Sequence, residues 1–127
     1  MIVASGNVVH NLRRLQWDQP ELAYDWAERF DDAAAAQLTR APGEVLRLAE
    51  HPDYGQAVPT PDHFIPLLYL AGIAEAEGSA LEPLLRGHSM GSISMTAYGI
   101  DAGVELRKDP HCAAQLPPGV PPEQSNI

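Results

Sequence analysis

Residues 1–14 (MIVASGNVVHNLRR) decide how the rest of the chain is interpreted. The apolar run at residues 2–4 gives way to Ser5-Gly6-Asn7, and His10 and Asn11 follow. This order is typical of α/β enzymes, in which a buried strand ends, small residues make a turn, and polar side chains stand at the strand's carboxyl end. The same pattern is also typical of a structural turn with a hydrogen-bonded histidine, so a second signal is needed to choose.

That second signal is another histidine in residues 59–64 (PTPDHF). Thr60 is a suitable N-cap and Pro61 a suitable first residue for a third helix, which carries His63 near its start. Pro66 interrupts this helix, so either the first turn is separate or the regular helix starts near Pro66. A histidine on an apolar face is often a hydrogen-bonded core residue. A position where a loop meets a helix favours a functional role instead.

Composition limits the possible functions. The 127 residues suffice for one domain, and the 45% apolar content is that of a globular protein. A net charge of −9 argues against a nucleic-acid partner. The longest apolar stretch, residues 64–74, is too short to span a membrane, and the chain shows no secretory signal. The single cysteine, Cys112, excludes an internal disulfide and suits a reducing cytoplasm.

The periodicity of apolar residues predicts helices in the first part of the chain and short strands after them. Asp18 and Glu21 have capping-box spacing before a long helix that residues 41–43 (APG) end. In that helix apolar residues recur every four positions, and Asp31 is expected to face water. The helix stripe consists of Leu22, Trp26, Phe30, Ala34 and Leu38. Residues 81–85 and 92–98 are predicted strands. Residues 1–99 form the predicted domain, and residues 100–127 a flexible, proline-rich tail.

Residues 87–91 (GHSMG) match the G-x-S-x-G nucleophile elbow of α/β-hydrolases, with Ser89 as the nucleophile. Asp101 and His111 follow in the order of a hydrolase triad. The context argues against an esterase, because an elbow lies between a buried strand and a helix. Here Pro83 weakens the preceding strand, and the residues that follow alternate like a second strand.

Four segments together resemble the class III extradiol ring-cleavage dioxygenase superfamily, in its DOPA 4,5-dioxygenase branch. They are residues 3–13 (VASGNVVHNLR), 24–30 (YDWAERF), 59–69 (PTPDHFIPLLY) and 91–95 (GSISM). Their order matches that of the family. The resemblance implies an α/β fold with a mixed sheet flanked by helices, of which this chain is the C-terminal portion of a single domain.

The resemblance also implies a chemistry: O2-dependent opening of a catechol ring such as that of DOPA, with Fe(II) or Zn(II) as the metal. It makes His63 a metal ligand and His10 a ligand or the catalytic acid/base, with Asn11 as a nearby substrate-binding group. A neutral imidazole accepts a proton near neutral pH and binds either metal, although zinc has no redox chemistry of its own.

The family's other two metal-site histidines, in a His-Gly-Ser-Pro turn and a Ser-Ala-His-Trp strand end, are absent from this sequence. We therefore expect an incomplete metal site that needs a partner chain or a missing N-terminal half. The alternative from another functional class is a non-catalytic fragment or interaction subunit, which docks on a partner through a strand edge at residues 2–4 and an apolar face.

Overall fold

The computed structural model describes residues 4–101. The predicted first strand at residues 2–4 therefore lies mostly outside the described residues, and so does the predicted tail from residue 102 onward. The proposed domain boundary at residues 99 and 100 stays a prediction. No helix in residues 4–101 is long and apolar enough to cross a membrane.

Helices make up most of the regular structure in this range. The α-helices are α1 (Asp25–Arg40), α2 (Tyr54–Ala57) and α3 (Ile65–Glu77). Two 3₁₀ helices, Leu12–Arg14 and Pro42–Glu50, lie before and after α1. Four short strands follow α3, namely β1 (Leu81–Leu85), β2 (His88–Ser89), β3 (Ile93–Ser94) and β4 (Ala97–Ile100).

The helices and strands confirm a mixed α/β chain, but the strands pair differently from the prediction. In the described residues, β1 pairs antiparallel with β4, and β2 pairs antiparallel with β3, so two small sheets replace one mixed sheet. The predicted strand 92–98 is split into β3 and β4. Between them the Met95 N–H donates to the Gly87 carbonyl and the Thr96 hydroxyl donates to Asp31.

The start of each long helix has a local cause. The predicted capping box at Asp18 and Glu21 is wrong, since α1 begins at Asp25. Residues 22–24, which precede α1, are held extended by two backbone hydrogen bonds to Gly91. The Gly91 N–H donates to the Leu22 carbonyl, and the Gly91 carbonyl accepts from the Tyr24 N–H. Helix α3 begins at Ile65 with proline in its first turn, so the regular helix starts near Pro66.

One apolar core joins the helices to the strands. Phe30, Ala34 and Leu38 are fully buried on α1, which confirms the central part of the predicted stripe. Leu67, Ala71 and Ala74 contribute one side of α3. The full core set is Val8, Val9, Ala27, Phe30, Ala34, Leu38, Val45, Leu48, Ala57, Val58, Phe64, Leu67, Ala71, Ala74 and Leu81.

Asp31 is a correction to the sequence analysis, because it is 0% exposed instead of facing water. Its Oδ2 atom accepts hydrogen bonds from Arg86 Nη2 at 2.7 Å and from the Thr96 hydroxyl at 2.8 Å. A buried carboxylate is stable only with such partners. Asp31 therefore ties the middle of α1 to the turn before β4.

The Tyr98 hydroxyl is a buried neighbour of this network and has no hydrogen-bond partner among the described residues. Burial raises the pKa of Tyr98, and the negative charge of Asp31 raises it further. The folded protein therefore holds this proton to a higher pH than the unfolded chain does.

We expect Tyr98→Phe to raise the free energy of unfolding by about 1 kcal/mol at neutral pH, because it removes the desolvation cost of a buried hydroxyl that has no partner among the described residues. The pH dependence should change more. In the wild type the raised pKa favours the folded state fully below about pH 10, and this contribution is lost as the pH rises above it. Urea unfolding at neutral pH and at about pH 11 measures both effects. An equal loss of stability in the wild type and the variant contradicts this assignment.

Candidate functional site

His10 lies in an extended segment that the core holds in place. Val8 and Val9 before it are buried, and His10 itself is 3% exposed. Its backbone N–H donates to the Ala57 carbonyl at 2.9 Å, and it forms an antiparallel bridge with Ile93. The segment thus fixes the position of the side chain between α2 and β3.

Both ring nitrogens of His10 face backbone carbonyl oxygens. Nδ1 lies 3.1 Å from the Asn7 oxygen, and Nε2 lies 2.8 Å from the Thr60 oxygen. A neutral imidazole has one N–H, so it donates to one carbonyl and keeps a lone pair on the other nitrogen. These contacts fix the plane of the ring, and any ligand of His10 must compete with one of them.

His63 lies against His10, as a shared site requires. The two ring centroids are 4.7 Å apart with 34° between the ring planes. The His63 side chain is 44% exposed, and its Nε2 lies 3.4 Å from Asp62 Oδ2. The structure therefore brings together one buried and one accessible imidazole from segments more than fifty residues apart in the sequence.

Asp62 adds a negative charge at the rim of this pair. A hydrogen bond from the Thr60 side chain lowers the pKa of the Asp62 carboxyl, and a bond to its own backbone lowers it further. Asp62 is consequently ionised beside His63 at neutral pH. Thr60 was predicted to be a helix cap, but it serves here through its carbonyl toward His10 and its side chain toward Asp62.

Gly6 is a site residue that sequence reasoning treated only as part of a turn. A Cβ atom at this position would overlap the His63 carbonyl oxygen and lie 3.2 Å from Pro66 Cγ. Only glycine at position 6 permits the first loop, residues 5–7, to approach the start of α3 this closely. The sequence signal was the Ser5-Gly6-Asn7 turn, but nothing in it identifies residue 63 as the neighbour.

Asn11 is also buried next to His10 in the chain. Its Nδ2 donates to the Gln56 carbonyl at 2.9 Å, and its own carbonyl accepts from the Ser92 hydroxyl at 2.8 Å. Its Oδ1 is buried and has no partner among residues 4–101. The side chain thus keeps one acceptor available, while its predicted role in substrate binding stays a prediction.

Ser89 does not lie on a nucleophile elbow. It ends β2, and a tight turn with positive φ at Met90 and Gly91 leads directly into β3. The helix that must follow an elbow is replaced by a strand. Asp101, the second residue of the supposed triad, accepts a hydrogen bond from the Ser79 hydroxyl, and His111 lies outside the described residues. The geometry therefore gives the esterase alternative no support.

The donor set does not make up a metal site by itself. Within residues 4–101 no group of three or more His, Cys, Asp or Glu side chains is placed to hold a metal ion. His10 and His63 supply two imidazoles, and a four-coordinate site of the kind seen for zinc needs at least three protein ligands. Further donors would have to come from polypeptide other than these residues.

Comparison with known proteins gives two strong similarities. The chain is 39% identical over 104 residues to an Escherichia coli K12 protein named 4,5-DOPA dioxygenase extradiol. That match covers 79% of this chain and 38% of the relative. The chain also resembles the crystal structure of an uncharacterised protein of E. coli K12, with a TM-score of 0.68 and 37% identity over 77% of this chain and 41% of that one. No family model matches.

These similarities support a DOPA-dioxygenase-like relationship. The chain nevertheless spans less than half the length of either relative.

We expect Gly6→Ala to push the start of α3 away from the first loop, because the new methyl group overlaps the His63 backbone. The cost should be about 1–3 kcal/mol in the free energy of unfolding, as for other overpacking substitutions. Gly72→Ala is the matched control, since a Cβ there meets nothing within 4 Å. In the middle of a helix that change should stabilise by about 0.5–1 kcal/mol. Urea unfolding of both variants checks the opposite signs, and equal effects contradict the close approach at Gly6.

Proposed function

We propose that the chain forms part of a class III extradiol dioxygenase that opens a catechol ring, such as that of DOPA, with O2. The observation that carries the proposal is the contact between His10 and His63, whose ring centroids lie 4.7 Å apart. The resemblance in the sequence singles out these two histidines of the five in the chain. The 39% identity to a protein named 4,5-DOPA dioxygenase extradiol supports the same activity.

In this proposal His10 and His63 are two of the ligands of a divalent metal, Fe(II) or Zn(II). Imidazole suits both ions, and iron supplies the redox chemistry with O2 that zinc lacks. The two histidines do not complete the site. The remaining donors are proposed to come from a partner chain or from another part of a longer protein.

The residues of this chain have their own roles in the proposed reaction. If His10 is not a metal ligand, its nitrogen with the lone pair is instead a base that takes a proton from a catechol hydroxyl. Burial keeps this imidazole fixed, and the carbonyls of Asn7 and Thr60 hold its orientation. His63 is half-exposed and faces the side from which a substrate arrives. Asn11, which is buried next to His10 in the chain, is the proposed polar group near the substrate.

A second candidate function is a non-catalytic interaction subunit. The observation in its favour is the donor count, because residues 4–101 bring two imidazoles together and no third ligand side chain. In such a subunit the pair would be retained for its packing. A measurement of metal binding therefore distinguishes the dioxygenase from the interaction subunit better than the fold does.

Titration of the full chain with Zn(II), and with Fe(II) under anaerobic conditions, tests the proposed ligands. We expect weak binding of one ion per chain, which His10→Ala and His63→Ala each reduce at least about tenfold, the loss expected when a donor is removed. His51→Gln is the control, because its ring packs on Phe30 and beside Asp53 instead of the pair. Calorimetry gives the affinities.

If all three variants bind the metal ions with the same affinity as the wild type, His10 and His63 are not ligands, and the interaction subunit is favoured. For the Fe(II)-loaded chain, oxygen uptake with DOPA gives the second readout. Uptake that depends on His10 supports catalysis by this chain, whereas histidine-dependent metal binding without uptake supports a site completed by other polypeptide.

A further inference from the structure

Helix α3 is apolar on all sides but packs on only one. No charged residue occurs from Ile65 through the next nine positions, and the first is Glu75. Leu67, Ala71 and Ala74 are buried in the core. On the opposite side Ile65, Tyr69, Gly72 and Ala76 are exposed, with Tyr69 at 70%. We call these four residues the outer face of α3. Helices that are apolar all round are normally buried all round.

The spacing of the outer face suits another helix. Its residues follow one another by four, three and four positions, which places them in one stripe along the helix. Gly72 lies in the middle of the stripe, and a Cβ there would meet nothing within 4 Å. A neighbouring backbone can therefore approach closely at this point. Leu68 and Ile73 are half-buried along the sides of the stripe and widen the apolar area.

The charged residues that flank the outer face in the sequence are negative. Asp62 precedes α3, and Glu75 and Glu77 lie in its last turn, where Glu75 Oε2 accepts a hydrogen bond from the Gly43 N–H. No lysine or arginine occurs between residues 48 and 85. Acidic side chains in a last turn oppose the helix dipole, so a cation brought to this end stabilises α3.

These charges disfavour a second copy of the chain as the occupant. Antiparallel pairing of two outer faces places Asp62 of one copy near Glu75 and Glu77 of the other. Parallel pairing places each acid beside its own equivalent. Both arrangements bring like charges together in chains that each carry a net charge of −9.

We propose that the outer face of α3 docks a polypeptide helix from outside these 127 residues, with an apolar side flanked at both ends by lysine or arginine. The relatives give room for such an element, because more than half the length of each lies outside its match to this chain. The inference rests on α3 and its charges, and it holds whether or not the proposed dioxygenase activity does.

Binding of two synthetic peptides to the full-length chain tests this proposal. Each peptide is an amphipathic helix of about fifteen residues with leucine and alanine on one side, and its ends carry lysine in one version and glutamate in the other. We expect fluorescence anisotropy to show at least about tenfold tighter binding of the lysine peptide. Added salt should weaken this binding, since the flanking charges are exposed.

Tyr69→Lys should reduce binding of the lysine peptide at least about tenfold, because it places a charge in the apolar stripe. The control is Leu46→Lys on the 3₁₀ helix Pro42–Glu50, where the leucine is 68% exposed, and it should leave binding unchanged. Circular dichroism confirms that both variants fold.

Three results of the peptide experiment overturn the proposal. They are equal binding of the two peptides, binding that Tyr69→Lys leaves intact, and no binding up to about 1 mM peptide. The last result includes the case in which residues 102–127 of the same chain hold the face. Sedimentation velocity tests whether a second copy of the chain occupies the outer face. A wild-type dimer that Tyr69→Lys converts to a monomer assigns the face to that copy and contradicts the proposal.

Discussion

The candidate site depends on the close approach of the first loop to the start of α3. Gly6 lies so near the His63 backbone that a side chain there would overlap it. On the other side of the same contact, the Thr60 carbonyl faces His10 Nε2 at 2.8 Å. Each of these contacts involves a backbone atom of the segment that carries His63. The main chain of the two segments therefore sets the distance between the two imidazoles. That arrangement holds the His10 ring and the His63 backbone in place before any ligand arrives.

Contacts elsewhere in the fold position the segments that make this approach. Helix α1 contributes four of the core residues, and its buried Asp31 binds Arg86 and Thr96 near the strands. Gly91 holds residues 22–24 extended by backbone hydrogen bonds, which positions the start of α1 against the β2–β3 turn. Ile93 then pairs with His10, so the small antiparallel sheet reaches the site directly. The described residues place His10 without the single mixed sheet that was expected.

The sequence predicted the features that local patterns determine. The apolar repeat of α1 identified Phe30, Ala34 and Leu38 as core, and the resemblance selected two histidines that the structure brings into contact. Prediction failed where distant contacts decide the outcome. Asp31 was predicted to lie on a solvent-exposed helix face with several other acids. Its partners Arg86 and Thr96 are distant in the sequence, and only the fold brings them to it. Gly6 and Thr60 were assigned to a turn and a cap, because neither residue's neighbour across more than forty positions is visible in the sequence.

The central claim is that the rings of His10 and His63 lie against each other in the folded chain. Nuclear Overhauser effects between their ring protons test it most directly, since centroids 4.7 Å apart bring those protons within detection range. We predict a cross-peak between the two imidazoles in the metal-free wild type. Assigned ring protons with no mutual cross-peak, while each shows contacts to other residues, contradict the account.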